Sequence, residues 1–94
     1  TIDKLTVLHN NNIAKFNNLS ERQRSSVLKV FDYIENNPII DIQKTASALN
    51  LAYNTVSKIV MLLIEKGILK ESDKIGKAKI YSYYEYLNIL RKDT

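Results

Sequence analysis

Cysteine is absent from this 94-residue chain, and glycine and proline are scarce, with two and one residues respectively. Without cysteine the chain can form neither a disulfide framework nor a thiolate site, which fits a reducing compartment. No apolar run approaches membrane-spanning length, and the first residues lack the charged start and apolar centre of a signal peptide. We therefore expect a cytoplasmic domain, by default bacterial, with no membrane partner.

Catalytic groups are equally sparse. His9 is the only histidine, and there is no second histidine or cysteine with which it could bind a metal ion. The chain has no Ser-His-acid set and no glycine-rich phosphate loop, and its ten acidic residues are scattered among basic ones. The sequence therefore predicts a domain that is not an enzyme and needs no metal or other cofactor. His9 is expected to be a half-buried packing residue.

The size and charge of the chain are compatible with a small binding domain. Ninety-four residues suffice for one core but not for a core with a large enzyme cleft. The formal net charge of +4 favours an acidic partner such as nucleic acid. A globular domain can carry this charge for solubility alone, so charge by itself leaves nucleic-acid binding open.

Residues 1–19 predict a linker helix of weak amphipathic character. His9 and Asn12 interrupt its apolar face, and the three asparagines at 10–12 are unfavourable inside a helix. We expect this arm to need a partner surface in order to stay ordered.

A second helix is predicted from Ser20 to Asn36. Ser20 followed by Gln23 is a capping-box pattern, and Pro38 lies just beyond the expected end of the helix. Pro38 and the two isoleucines after it are too short and too β-branched for a helix. A short strand or an extended link is expected there.

The centre of the chain predicts a helix-turn-helix. Asp41 can cap a helix that ends at Asn50, because asparagine tolerates the left-handed conformation that a tight turn requires. A second helix follows within a few residues, over about 53–66, and Gly67 stops it. Two helices joined this tightly, the second starting with polar residues, are typical of the motif.

A β-hairpin, the wing, is predicted over about 68–84. Tyr81 and Tyr83 alternate along its second strand, and packing on one face of the sheet explains them better than stacking on bases. Leu87 and Leu90 in a terminal helical turn should close the core. The predicted fold is therefore mainly α with a small β-hairpin (α+β): a winged helix-turn-helix over 20–94, preceded by the linker helix.

The chain also resembles the C-terminal part of Fic-domain proteins, the adenylyl-transferase family. The resemblance lies in four segments taken in order: TIDKLTVLHNNNIAKFNNL, NPIIDIQKTASALNLAYNTVSK, EKGILKES and KIYSYYEYLNIL. In that family a catalytic domain with a histidine-proline-phenylalanine motif and a glycine-asparagine-glycine-arginine loop comes first, and a winged helix often follows. Neither motif is present here, so no catalytic residue is carried over. The resemblance implies a non-catalytic accessory module whose partner is the catalytic Fic domain, the site of AMPylation, in the same polypeptide.

One function that these patterns predict is binding of double-stranded DNA in transcription regulation. A recognition helix places its N-terminal residues in the major groove, where asparagine suits adenine and lysine neutralises phosphate. Against this, the helix has no arginine, Ala52 cannot cap it, and Glu71 and Asp73 offset two of the wing lysines. The predicted DNA-binding residues are Tyr53, Asn54, Thr55, Ser57 and Lys58 on the helix, with Lys74, Lys77 and Lys79 at the wing.

The alternative is a docking or dimerisation module that does not bind DNA. One apolar stripe, Val56, Ile59, Val60 and Leu63, suffices to pack the predicted recognition helix on one core. Further apolar residues extend around the helix, so a second surface must cover them. The cover is either the N-terminal helix of the same chain, a second copy in a homodimer, or the catalytic Fic domain. The predicted protein-interface residues are Met61, Leu62 and Ile64.

Overall fold

The structure, a computed structural model, describes residues 2–75 and 78–92. Within these residues the three strands form one antiparallel sheet in the order β1-β3-β2. The mainly α fold with a small β-hairpin confirms the fold class predicted from the sequence. The elements are α1 (Ile2–Ala14), α2 (Glu21–Asn36), β1 (Ile39–Ile40), α3 (Ile42–Leu49), α4 (Tyr53–Glu65), β2 (Lys70–Ile75), β3 (Ala78–Ser82) and α5 (Tyr84–Lys92).

Local caps determine where α2 and α3 begin and end. Ser20 Oγ accepts a hydrogen bond from the Gln23 amide at 3.2 Å, and Asp41 Oδ1 accepts one from the Lys44 amide at 2.7 Å. Asn50 ends α3 in the left-handed conformation, with φ of 55°. All three features confirm the sequence predictions, because each depends only on residues close together in the chain.

α3 and α4 form the predicted helix-turn-helix. Their axes turn by 117° across a short link, within the range of this motif. Ala52 precedes α4 in an extended conformation and supplies no side-chain cap, as expected. Gly67, with φ of 77°, follows the end of α4 in a conformation that a larger residue would adopt only with strain.

No single helix among the described residues is long and apolar enough to cross a membrane. Among the described helices, α3 and α4 taken together across their bend are the one pair that reaches that length and composition.

The core lies where α2 and α4 meet the sheet. The inward stripe of α4 packs against the apolar face of α2, whose largest member is Phe31. Tyr81 and Tyr83 are 1% and 0% exposed, so the prediction that they pack is confirmed. The buried residues of the two helices are Val27, Val30, Phe31 and Ile34 on α2 and Val56, Ile59, Val60 and Leu63 on α4.

α5 closes the core with different residues from those expected. It is a helix of nine residues where the sequence predicted a helical turn. In this helix Tyr86 and Ile89 pack against the core, whereas Leu90 is 37% exposed. The assignment of Leu90 to the core was therefore wrong, because the start of the helix sets which residues face inward.

α1 folds back onto the rest of the chain. It ends at Ala14 rather than at residue 19, and turns over 15–19 lead to α2. Leu8 on the helix and Phe16 just after it are its buried apolar contacts with the core. The Phe16 ring meets the Phe31 ring edge to face, with centroids 5.4 Å apart.

The two polar residues that interrupt the apolar face of α1 attach it to the core. Asn12 is buried and donates a hydrogen bond from Nδ2 to the Tyr83 hydroxyl at 2.7 Å. His9 Nδ1 lies 2.6 Å from Glu35 Oε2, and its ring centroid lies 5.6 Å from that of Phe31. The prediction of a half-buried packing role for His9 is confirmed.

Candidate nucleic-acid interface

The side of α4 that faces away from the core carries the predicted DNA-binding residues of this helix. Helical periodicity turns the apolar stripe inward, so the residues between its members point outward. Tyr53 is 56% exposed, Asn54 and Lys58 are exposed, and Thr55 and Ser57 are half-buried. Within residues 2–75 and 78–92, these side chains, apart from that of Tyr53, make no hydrogen bond or ion pair. They are therefore available to an external partner.

The wing contributes Lys79 from β3. Its Nζ lies 3.9 Å from Glu71 Oε1, with both side chains about half exposed. An exposed ion pair of this kind contributes little to stability, so a phosphate can replace the carboxylate at small cost. Lys77 lies outside the described residues, as does the side chain of Lys74, whose backbone belongs to β2. Both lysines stay predictions.

Two concavities flank the outward face of α4. One, with a volume of about 590 Å³, lies between α2 and α4 and is called the α2–α4 groove. The other, about 410 Å³, lies between α4, the start of α3 and β3 and is called the wing groove. Ser57 and Met61 line both. The outward face of α4 is thus a ridge between two grooves, accessible from both sides.

Tyr81 lines the wing groove as a neutral residue. Burial raises the pKa of the Tyr81 hydroxyl, and the nearby Glu71 and Tyr53 raise it further. Tyr81 therefore stays protonated and adds no negative charge beside the wing. Asp41 also lines this groove, but its carboxylate already accepts the capping hydrogen bond from the Lys44 amide.

The structure places the three predicted protein-interface residues in different surroundings. Met61 is 50% exposed, while Leu62 and Ile64 are partly buried against the core. Since successive helical residues are about 100° apart, Leu62 and Ile64 lie on opposite flanks of the buried stripe. Met61 and Leu62 meet in the α2–α4 groove, and Ile64 does not line it.

α1 is not the cover of Met61. Just after α1, Lys15 Nζ donates a hydrogen bond at 3.2 Å to the carbonyl oxygen of Lys66, the residue that follows the C-terminal end of α4. Met61 stays half exposed with α1 in place. Of the three surfaces considered from the sequence as packing partners of this side chain, a second copy of the chain and the catalytic Fic domain remain.

Arg22 is a cation that sequence reasoning missed. It is exposed in the first turn of α2 and lines the α2–α4 groove together with Lys58. Its position on the helix face that also carries Ser26 follows from the four-residue spacing. The approach of that face to α4 is a tertiary contact, and no local pattern in the sequence indicates it. In the described part of the chain, no three His, Cys, Asp or Glu side chains are grouped so as to hold a metal ion.

Solved structures with the same architecture are winged-helix domains. The Zα domain of Carassius auratus PKZ, in complex with Z-DNA, has a TM-score of 0.60 at 16% identity over 67% of this chain and 98% of that one. A possible transcriptional regulator from Methanosarcina mazei has a TM-score of 0.58 at 25% identity over 87% and 73%. The PcaV transcriptional regulator from Streptomyces coelicolor, in complex with its natural ligand, has a TM-score of 0.59 at 16% identity over 93% and 64%.

Sequence comparison adds no family. Neither a family model nor a curated protein sequence matches the chain. The resemblance to Fic proteins therefore stays a prediction, whereas the winged-helix fold is established by the architecture and its structural neighbours.

Proposed function

We propose that this chain is the DNA-binding domain of a transcription regulator, with α4 as its recognition helix and the β2–β3 hairpin as its wing. The observation that carries the proposal is the row of exposed or half-buried polar side chains on the N-terminal half of α4 that have no partner within the described structure. A helix-turn-helix brings this half of its second helix to the base edges. Structural neighbours that are a Z-DNA complex and a named transcriptional regulator support the proposal.

Each residue on this face has a distinct chemical role. Asn54 can pair bidentately with adenine, the contact for which an amide is suited. Lys58 neutralises a phosphate, and the hydroxyls of Thr55 and Ser57 donate to phosphate or base oxygens. Tyr53 lies at the start of the ridge beside the wing groove. Contacts to phosphate position the helix on the duplex, and Asn54 supplies sequence preference.

The wing extends the phosphate contacts beyond α4. Lys79 is exposed at one side of the wing groove. Lys74 and Lys77 of the same hairpin complete the set of wing cations in this proposal. Since α4 has no arginine, we expect modest affinity that depends strongly on salt.

Fluorescence anisotropy of a labelled DNA duplex, titrated at a series of salt concentrations, tests the proposal. A protein that neutralises phosphates shows a linear fall of log K with log salt concentration, with a slope near −0.9 per phosphate. Lys58→Ala should weaken binding at every salt concentration and reduce the slope by about 1, the value for one lost phosphate contact. Lys4→Ala is the matched control, because Lys4 is exposed beside a separate groove between α1 and α5.

Two results would count against DNA binding through α4. The first is an absence of binding at low salt by protein whose circular dichroism shows the folded state. The second is equal loss of affinity in Lys58→Ala and Lys4→Ala, which would mean that net charge acts without a defined contact surface.

A second candidate function is docking of a protein through the α2–α4 groove. The observation that favours it is the apolar lining from Met61 and Leu62, of which Met61 is half exposed. The resemblance to Fic proteins would make the occupant the catalytic domain of the same polypeptide, and a homodimer is the other form of this function. As an accessory module of that kind, the chain would position the catalytic domain or regulate it.

Sedimentation velocity separates the docking candidate from the first. Leu62→Glu should dissociate a homodimer, or release a co-expressed catalytic domain, because a carboxylate cannot be buried against an apolar partner without a large penalty. Ser25→Glu on an exposed position of α2 adds the same charge as the control. A monomer in both variants and in the unmodified chain, with no bound catalytic domain, would exclude docking through this groove.

A further inference from the structure

We propose that Met61 is a specificity determinant that contacts the C5-methyl group of a thymine in the major groove. The inference rests on the DNA-binding function proposed above and deepens it, because it assigns a base preference to a residue beyond the polar half of α4.

Met61 stands on the same side of α4 as Tyr53 and Ser57. The three residues follow one another at intervals of four, which in a helix places them on neighbouring turns of one face. Met61 is 50% exposed, and the adjacent Lys58 is exposed as well. A duplex that lies along the polar half of α4 therefore also meets Met61.

Cations stand on both sides of Met61. Arg22 and Lys58 line the α2–α4 groove on one side, and Lys79 lines the wing groove on the other. Met61 itself lines both grooves. This arrangement suits a ligand with negative charge along two edges and an uncharged strip between them, which describes the two phosphate backbones and the base edges of a major groove.

Two carboxylates also line these grooves, but they do not make the net charge of the lining negative. Glu65 lines the α2–α4 groove one helical turn beyond Met61. Asp41 lines the wing groove with its carboxylate occupied by the Lys44 amide at 2.7 Å. The grooves are thus lined by three cations and two anions, and one of the cations, Lys79, lies 3.9 Å from Glu71 Oε1. An apolar protein surface would have to desolvate Arg22 and Lys58 without replacing their water, which makes it a less suitable occupant than DNA.

Among the groups that base pairs present in the major groove, the thymine C5-methyl is the apolar one. The others are hydrogen-bond donors and acceptors, and a methionine packed on them would remove their water without replacing the hydrogen bonds. The unbranched, polarisable methionine side chain adapts readily to such a contact. Met61 therefore favours a site with thymine opposite the third turn of α4.

Replacement of thymine by deoxyuridine tests the contact, because the two bases differ by this methyl group alone. The probe is a fluorescent duplex enriched by this protein from a pool with a randomised centre, resynthesised with each thymine replaced in turn. At one position per bound domain, the replacement should weaken binding of the unmodified protein about fourfold, the effect of one buried methyl group. Met61→Ala should bind the thymine and deoxyuridine duplexes equally, and Met61→Leu should still distinguish them.

The outcomes separate this inference from the proposed function. Two results would overturn the thymine contact but not the proposal of DNA binding. The first is salt-dependent binding that no deoxyuridine replacement weakens. The second is a Met61→Ala variant that still binds the thymine duplex more tightly than the deoxyuridine duplex. Unchanged DNA binding in Met61→Ala together with a changed sedimentation coefficient would assign Met61 to a protein interface instead. Failure to enrich or bind any duplex would refute both proposals together. Because Met61 is half exposed, Met61→Ala should keep the thermal unfolding midpoint of the unmodified chain, which shows that the variant is folded.

Discussion

Asn12→Ala should destabilise the fold, although Asn12 lies in α1, a helix of weak amphipathic character. Asn12 is 1% exposed and Tyr83 is 0% exposed, and the hydrogen bond between their side chains measures 2.7 Å. Removal of the amide leaves the tyrosine hydroxyl buried without its donor, which costs about 1 to 3 kcal/mol. For a domain of this size, each kcal/mol lowers the unfolding midpoint by roughly 4 to 8 °C.

Asn11→Ala is the matched control for this substitution. Asn11 precedes Asn12 in α1 and is exposed. Alanine is the better helix former at either position, so Asn11→Ala should leave stability unchanged or raise it by a few tenths of a kcal/mol. The difference between the two variants therefore isolates the buried hydrogen bond from the change in helix propensity.

A double-mutant cycle completes the test. Tyr83→Phe alone leaves the Asn12 amide without an acceptor and should cost a similar amount. Asn12→Leu alone leaves the Tyr83 hydroxyl without its donor, whereas Asn12→Leu combined with Tyr83→Phe replaces both polar groups by apolar ones of similar shape and should be close to neutral. Urea denaturation of the unmodified chain, Asn12→Leu, Tyr83→Phe and the double variant would give a coupling energy of about 2 kcal/mol if the reasoning is right. Additive losses, or a loss in Asn12→Ala no larger than in Asn11→Ala, would refute it.

Two further predictions concern stability. Ala52→Ser should raise the free energy of unfolding in urea by about 1 kcal/mol. Position 52 already has the extended conformation of an N-cap and lacks only the side-chain oxygen. No gain in stability would mean that the free amide groups at the start of α4 already have other hydrogen-bond partners. Burial raises the pKa of Tyr83 from 10.0 to about 12, so its contribution should be complete below pH 10 and lost as the pH rises toward 12. Thermal unfolding between these pH values should depend less on pH in Tyr83→Phe, and an equal dependence in both proteins would contradict the raised pKa.

The order of the elements could be predicted from the sequence because local signals determine it. The caps at Ser20 and Asp41, the left-handed Asn50 and the stop at Gly67 each depend on a few neighbouring residues. The attachment of α1 could not be predicted in this way. Asn12 and Tyr83 are 71 residues apart, and nothing near either of them identifies the other as its partner.

The candidate site was predictable to the same extent. The helical period alone indicates which side of α4 faces outward, so the location of Asn54 and Lys58 follows from the buried stripe. The proximity of Arg22 depends on how α2 crosses α4, and the different surroundings of Met61 and Ile64 depend on what packs on each flank. These are tertiary contacts, which composition and spacing do not encode.

β3 is the central strand of the sheet, so the sheet can form only after this late segment of the chain has been synthesised. β1 and β2 lie on either side of the helix-turn-helix in sequence, and each is hydrogen-bonded to β3 rather than to the other. Until Ala78–Ser82 leaves the ribosome, the two ends of the segment 41–69, which contains α3 and α4, cannot be joined through the sheet. A nascent chain therefore carries all of α4, with the residues proposed to contact DNA, before the sheet that joins the two ends of this segment can form.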